Sequence, residues 1–298
     1  MISEIAWADG RCVRFDEVIL SPATHGLSYA TSVFDGIRTY GGSIFKCDDH
    51  IARLRRSAEL FGHTVHYSNA DLADACHELV RANDLADAYI KCLVFYDDTD
   101  VSFKAQGSSS KVVLFALPFP SNSAAEQYRL STATWRRAPA SCHPYQAKTS
   151  STYALSYLSH RGRADGYDDV LFLSTADAVC ESSGSNVFFV KGDALFTPTA
   201  ELALDGITRR VVIDELCPRL KLSVTERDIA YGEIGSFDAA FLCGTAIEIM
   251  EVSGIDEIRY AKSAVVDAIA TEYRHLTNRR SAIRRRPSKV GHPSPQGS

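Results

Sequence analysis

Residues 179–209 read VCESSGSNVFFVKGDALFTPTAELALDGITR. Short apolar runs rich in β-branched and aromatic residues alternate here with small and polar ones, the pattern of strands around tight turns; Gly192-Asp193 is one such turn. A single acid, Glu181, follows an apolar pair and precedes small residues that let the backbone come close to something flat. A carboxylate buried there needs a cation or hydrogen-bond donors. A pyridinium nitrogen is one suitable partner, because a carboxylate keeps such a ring protonated and able to accept electrons. An acid in an exposed hairpin turn accounts for Glu181 equally well at this point. Further on, Gly206 precedes a helical pattern, and free N–H groups at a helix start beside the Thr208 hydroxyl form an anion site. LCGTAIEI (242–249) offers a similar small-residue turn at Gly244, Thr245 and Ala246.

Outward from this stretch, helices and strands do not alternate strictly. Residues 51–61 carry Ile51, Leu54, Ala58 and Phe61 at helical spacing, after Asp48 and Asp49 and before Gly62. Residues 70–83 read as a second helix, 88–96 and 111–117 as strands, and 97–110 as a polar loop. Two prolines then break the pattern at 117–127. Beyond them come a strand at 128–135, a helix at 151–165 ending near Gly166, and a strand at 169–174. A helix at 208–220, strands within 221–229 and 238–252, and a last helix at 264–277 complete the pattern. The expectation is an α+β protein of two α/β domains with mixed or antiparallel sheets: a small domain at 1–118, a connection at 119–127, a large domain at 128–279 and a disordered basic tail at 280–298. No glycine-rich nucleotide loop is present.

Composition narrows the chemistry. The chain has 298 residues, 45% hydrophobic and 23% charged, with net charge −5, so charge gives no case for nucleic acid or an anionic membrane. Eight cysteines form no C-x-x-C pair and sit in apolar runs, as expected of buried thiols in a reducing compartment. No secretory signal and no apolar stretch of membrane-spanning length is read, and a cytoplasmic protein is expected. The histidines lack metal-ligand spacing, no G-x-S-x-G elbow occurs, and Asp97, Asp98 and Asp100 do not complete a calcium loop, so no metal is expected.

YQAKTSSTY (145–153) has one charge, Lys148, among small and hydroxylated residues. On a surface it means nothing; buried, an unpaired ammonium calls for a lowered pKa or a reaction. Arg53 is either another candidate for an anion or one more solvated arginine beside Arg55 and Arg56.

Three blocks, in order, resemble the class IV, fold-type IV aminotransferases that use pyridoxal 5′-phosphate (PLP), and among them the bacterial branched-chain amino acid aminotransferases. They are HGLSYATSVFDGIRTY (25–40), RRAPASCHPYQAKTSSTYALSYL (136–158) and ESSGSNVFFVKGDALFTPTAELALDGITR (181–209). The similarity spans roughly residues 5 to 275.

The resemblance implies a D-amino acid aminotransferase-like fold with its site between the two domains. Lys148 would carry the cofactor and then move a proton at the substrate α-carbon. Glu181 would hold the ring nitrogen and Tyr153 the ring hydroxyl. Arg53, Gly206, Ile207, Thr208 and Thr245 would hold the phosphate. Tyr29, Phe34, Gly36, Tyr89, Lys91, Phe119, Thr245 and Ala246 would meet the substrate. The implied substrates are a branched-chain or related apolar amino acid and a 2-oxo acid, and the implied assembly is at least a homodimer. A D-amino acid or amine transaminase, an aminodeoxychorismate lyase, or a PLP-binding protein without turnover are the other readings.

There are departures. Lys91 stands where an arginine is usual, Asp205 where proline is common, and Ser150, Ser151 and Thr152 where small glycines are usual. No tyrosine follows Phe119 in the loop where the family has one.

Overall fold

In the computed structural model, which describes residues 2–96, 102–103, 110–120 and 127–284, two sheets follow one another along the chain. The first begins with a hairpin of β1 (Ile5–Ala8) and β2 (Arg11–Arg14). Its turn residues, Asp9 and Gly10, have φ of 44° and 97°, the two positive values that match a tight turn to strand twist. After the helical turn α1 (His25–Ser28) come β3 (Val33–Tyr40) and β4 (Ser43–Ile44), helices α2 (Cys47–Leu60) and α3 (Asn69–Ala82), and strands β5 (Ala88–Tyr96) and β6 (Ser110–Pro118). The sheet runs β2-β1-β6-β5-β3-β4, with every neighbour antiparallel. Asp71 and Ser68 cap α3 reciprocally: Ser68 N donates to the Asp71 carboxylate at 2.8 Å and Asp71 N to Ser68 Oγ at 3.1 Å. Ile51, Leu54 and Ala58 of α2 and Leu72 and Leu79 of α3 pack on Ile37, Ile90 and Leu114 of the sheet.

The pleat of β5 explains what this sheet offers a site. Ala88, Ile90, Cys92 and Val94 are buried on the helix side, which turns Tyr89 and Lys91 to the opposite face. There Lys91 lies across from Gly36 and Tyr89 across from Arg38.

The second sheet is mixed. Its elements are β7 (Gln127–Thr132), α4 (Ser150–Arg161), β8 (Asp169–Leu173), β9 (Val179–Ser182), β10 (Asn186–Lys191), β11 (Ala194–Thr197), α5 (Ile207–Arg210), α6 (Cys217–Leu220), β12 (Ser223–Glu226), β13 (Ala239–Gly244), β14 (Glu248–Ile255), β15 (Ile258–Arg259) and α7 (Ala264–Arg284). The order is β12-β11-β10-β13-β14-β7-β8-β9, with β15 on β14; the β11–β12, β14–β7 and β7–β8 pairs are parallel. Alternation along β10 serves two cores. Phe188 stacks on Phe241 at 5.0 Å under Ile269 and Tyr273 of α7, while Val187 and Phe189 join Leu130, Leu171 and Ile255 on the other face.

Several boundaries differ from the sequence reading. The strand expected at 128–135 ends at Thr132, and Trp135 is exposed. The helix expected to run to 165 stops at Arg161, where Gly162 terminates it. The helix at 208–220 is helical throughout, but Val211–Leu216 forms π-helical turns between α5 and α6. The last helix continues to Arg284, so residues 280–284 of the expected disordered tail are helical. Residues 285–298, positions 121–126 of the expected connection, and the acidic turn at Asp97, Asp98 and Asp100 lie outside the described residues.

Candidate active site

Lys148 sits where both sheets meet. Its segment docks on the first sheet: Phe34 N donates to Lys148 O at 3.0 Å, Lys148 N to Ser57 Oγ at 3.0 Å, and Ser150 N to Ser32 O at 2.9 Å. Thr149 then caps α4, its Oγ accepting from Thr152 N at 3.3 Å. One helical turn places Tyr153 beside the lysine, and Lys148 Nζ donates to Tyr153 Oη. Burial, and then the Arg53 charge, lower the Lys148 pKa to about 7. A neutral amine is therefore available near neutral pH, which a base or nucleophile requires. The hydroxyl-rich filling also has a structural account. Ser150 Oγ pairs with Ser32 Oγ at 2.6 Å, Ser151 Oγ with Thr149 Oγ at 2.7 Å, and Thr152 Oγ with His143 Nε2 at 2.5 Å.

Arg53 is buried and held from behind. Its Nε donates to Asp35 Oδ2 at 2.8 Å and its Nη2 to Asp35 Oδ1 at 2.9 Å; His50 Nδ1 lies 2.7 Å from the same Oδ1. Burial pushes the Asp35 carboxyl up, but Arg53 and His50 win and hold it well below the usual carboxylate range. The remaining corner, Nη1, reaches only Asp205 O at 3.5 Å. Neither Asp35 nor His50 was singled out from sequence. The available signal was an acid inside the apolar strand pattern of SVFDGI, with arginine and histidine three residues apart on the next helix.

Glu181, at the end of β9, is also buried. Arg137 Nη2 donates to its Oε1 at 2.9 Å, and Leu204 N donates to its Oε2 at 3.2 Å. Arg137 is a third residue that sequence reasoning missed, one of two adjacent arginines with no pattern to separate them.

One cavity is lined by three of these groups, Arg53, Tyr153 and Glu181; Lys148 does not line it and connects to it through its bond to Tyr153. Arg53, Tyr153, Glu181, Gly206, Thr208 and Thr245 line it, with Ile207 and Ser185. Crowding acts at two glycines, strongly at Gly206 and weakly at Gly244, where only a serine hydroxyl would have to turn away. A Cβ on Gly206 would stand 2.0 Å from Asn186 Oδ1, and one on Gly244 2.9 Å from Ser185 Oγ. Asn186 is fixed in turn by donating from Nδ2 to Leu204 O at 2.8 Å. Asp205, the departure from proline, accepts from Arg53 through its carbonyl and pairs with Arg210 through its carboxylate.

Two of the expected substrate residues, Phe34 and Lys91, stand beside the lysine, with Lys148 Nζ 5.0 Å from the Phe34 ring centroid. Phe34 meets Tyr153 edge-on at 4.9 Å, and Lys91 Nζ lies 3.4 Å from the Phe34 ring centroid. Burial, and then Lys148, lower the Lys91 pKa to about 8. Tyr89 contacts Phe119 at 5.7 Å. Arg38 donates to Ala246 O and to Phe119 O, each at 3.2 Å, tying both positions to β3. Two of the expected residues have other surroundings in the structure. Gly36 makes room for Tyr89, whose Oη would lie 1.8 Å from a Cβ there, so the space is filled by a side chain of this chain. Of the expected substrate residues only Thr245 lines the cavity that holds Arg53 and Glu181; Tyr29 stands apart from the others, 39% exposed with its ring against His25 and Phe103.

The family model for amino-transferase class IV matches residues 32–255. The probable branched-chain-amino-acid aminotransferase of Rickettsia bellii is 33% identical over 272 residues, covering 90% of this chain and 94% of that one. Among solved structures, the branched-chain aminotransferase of Thermoproteus uzoniensis with norvaline superposes with a TM-score of 0.89 at 33% identity, over 93% of this chain and 96% of that one. The branched-chain amino acid aminotransferase of Thermobaculum terrenum in its PLP form superposes with a TM-score of 0.87 at 29% identity, over 94% of this chain and 95% of that one.

Proposed function

The chain belongs to the class IV aminotransferases, and from that premise we propose which of its residues do the work and on what substrates. It is a PLP-dependent transaminase of fold-type IV, moving an amino group between a branched-chain or related apolar amino acid and a 2-oxo acid.

The residues present fit PLP. Arg53 keeps one guanidinium corner toward the cavity, Thr208 and Thr245 bring hydroxyls, and crowding keeps Gly206 free of a side chain. An anionic phosphate matches that end. A carboxylate, Glu181, stands on the same cavity for a ring nitrogen. When bound, PLP supplies an electron-accepting ring that stabilises negative charge developing at the substrate α-carbon.

On this reading Lys148 Nζ would be the base that takes the proton from the substrate α-carbon and the acid that gives it back. Tyr153 Oη, bonded to that Nζ, orients the lysine and holds the ring hydroxyl. Arg53, the Ile207 and Thr208 N–H groups and the Thr245 hydroxyl would hold the phosphate, and Glu181 would face the ring nitrogen and favour its protonated form. Phe34, Tyr89 and Phe119 exclude water around an apolar side chain, and the 245–246 turn meets its carboxylate. Lys91 offers an acidic amino donor a point charge in place of a bidentate fork.

The observation that carries this reading is that Arg53, Tyr153 and Glu181 line one cavity and that Lys148 Nζ is bonded to the Tyr153 that lines it. A transamination panel tests it: leucine, isoleucine, valine, alanine and glutamate against their 2-oxo acids, with aminodeoxychorismate as a separate arm. Transfer from leucine to 2-oxoglutarate, lost in Lys148→Ala, is expected. Pyruvate release from aminodeoxychorismate without any amino transfer contradicts it.

The same reading assigns a small domain at 1–118 and a large one at 128–279, a homodimer, and a cytoplasmic location. Exposed Leu27, Tyr29 and Phe103, and exposed Trp135, Tyr157 and Leu158, are apolar surface suited to a second copy. No helix among the described residues is long and apolar enough to cross a membrane.

A further inference from the structure

We infer that Arg137 is a positioning residue that keeps the Glu181 carboxylate ionised and fixed in orientation, and through it keeps the proton on the cofactor's ring nitrogen. The inference rests on the reading that Glu181 faces that nitrogen. Arg137 is 3% exposed and does not itself line the cavity, so it can act on a bound ring only through Glu181. Its guanidinium carbon lies 4.4 Å from the Phe172 ring centroid and 5.5 Å from that of Tyr145, in a flat, dry slot. Its own backbone is fixed, since Arg137 N donates to Leu173 O at 2.9 Å. From there Nη2 donates to Glu181 Oε1 at 2.9 Å, with Ser156 Oγ 3.4 Å away. Leu204 N occupies the other carboxylate oxygen at 3.2 Å. Each oxygen thus has one fixed donor and retains acceptor capacity for a third partner.

The consequence is a matter of where one proton rests. In a dry site, a carboxylate whose only cation is a pyridinium can discharge the pair: the ring N–H bond breaks, an O–H bond forms on Glu181, and both groups become neutral. A neutral ring is a poorer electron acceptor. A fixed guanidinium behind the carboxylate favours the anionic oxygen and opposes that transfer. Leu204 N–H alone supplies orientation without the charge.

The test uses the full chain loaded with PLP labelled with 15N in the ring, in the wild type, Arg137→Met, Arg137→Lys and Glu181→Gln. The ring nitrogen resonance reports its protonation, and a PLP titration reports affinity. The wild type and Arg137→Lys are expected at the pyridinium position. Arg137→Met is expected to move to the neutral-pyridine position and to bind PLP about tenfold more weakly, the size of one charge-assisted hydrogen bond. A role in packing alone leaves the resonance unmoved. If Arg137→Met keeps the pyridinium resonance while Glu181→Gln loses it, the inference is overturned and the Glu181 assignment stands. If Glu181→Gln also keeps it, the assignment itself fails, and the inference with it. Should Arg137→Met not accumulate as folded protein, Arg137→Gln against Arg137→Lys gives the same contrast.

Discussion

Two buried arginine–carboxylate pairs flank the candidate site, and they are built differently. Asp35 receives two N–H groups from Arg53, contacts His50, and also accepts from Gly36 N at 2.8 Å. Four contacts converge on this carboxylate, three of them at Oδ1, so it neutralises and aims the arginine, and the arginine is the group that lines the cavity. Glu181 receives one N–H from Arg137 and one from Leu204, and here the carboxylate faces the cavity while the arginine stands behind. The same pair of side chains thus presents a cation on one wall and an anion on the other. The carboxylate with four contacts backs its arginine, and the carboxylate with two is itself the group on the cavity.

Breaking the Asp35–Arg53 pair should have the largest effect on folding. Asp35→Ala leaves Arg53 and His50 buried without their carboxylate, a loss of about 3–5 kcal/mol, read as a lower urea midpoint of the cofactor-free chain. Glu181→Gln keeps shape and an acceptor, so its stability cost should be smaller, about 1–3 kcal/mol. Its transamination rate should nevertheless fall by about 10²-fold or more, as when charge developing in a transition state loses its partner. Equal stability losses with unchanged turnover would erase the distinction between the two walls. Gly206→Ala sharpens it at the phosphate end. The added Cβ must displace Asn186, which should cost about 1–3 kcal/mol and weaken PLP binding more than it slows the loaded enzyme.

The smallest effect concerns pH. Lys148 and Lys91 have folded pKa values lowered to about 7 and about 8, below the ordinary lysine value of 10.5. Between those values and about 10.5 the unfolded chain binds more protons than the folded one, so stability rises with pH across that window. Below about pH 7 both amines are charged in either state and the penalty is at its fullest. Comparing the pH dependence of urea midpoints in the cofactor-free wild type and Lys148→Met should show a shallower rise in the variant.

Much of the architecture was legible because local periodicity carries it. α2, α3, β5 and β6 fall within a few residues of their expected places, since their apolar spacing answers to one buried face. The β1–β2 hairpin also had its signal, Asp9-Gly10, but strands of four residues are too short to show a period. α4 ends early because Gly162 stops it before the polar residues that follow. Of the candidate site, Lys148, Tyr153, Glu181 and the 206–208 turn could be named because their types and order carry meaning. Asp35, His50, Arg38 and Arg137 could not. Their roles come from contacts across 15 to 208 positions of sequence, which no local pattern encodes.

The central claim is that Lys148 moves the proton at the substrate α-carbon, and washout of deuterium from α-deuterated leucine tests it most directly. PLP-loaded wild type incubated with that substrate in ordinary water should release the label. Lys148→Ala, loaded with PLP to the same extent, should release it at least about 10²–10⁴-fold more slowly, the loss of one positioned general base. Washout at the wild-type rate in Lys148→Ala would contradict the account.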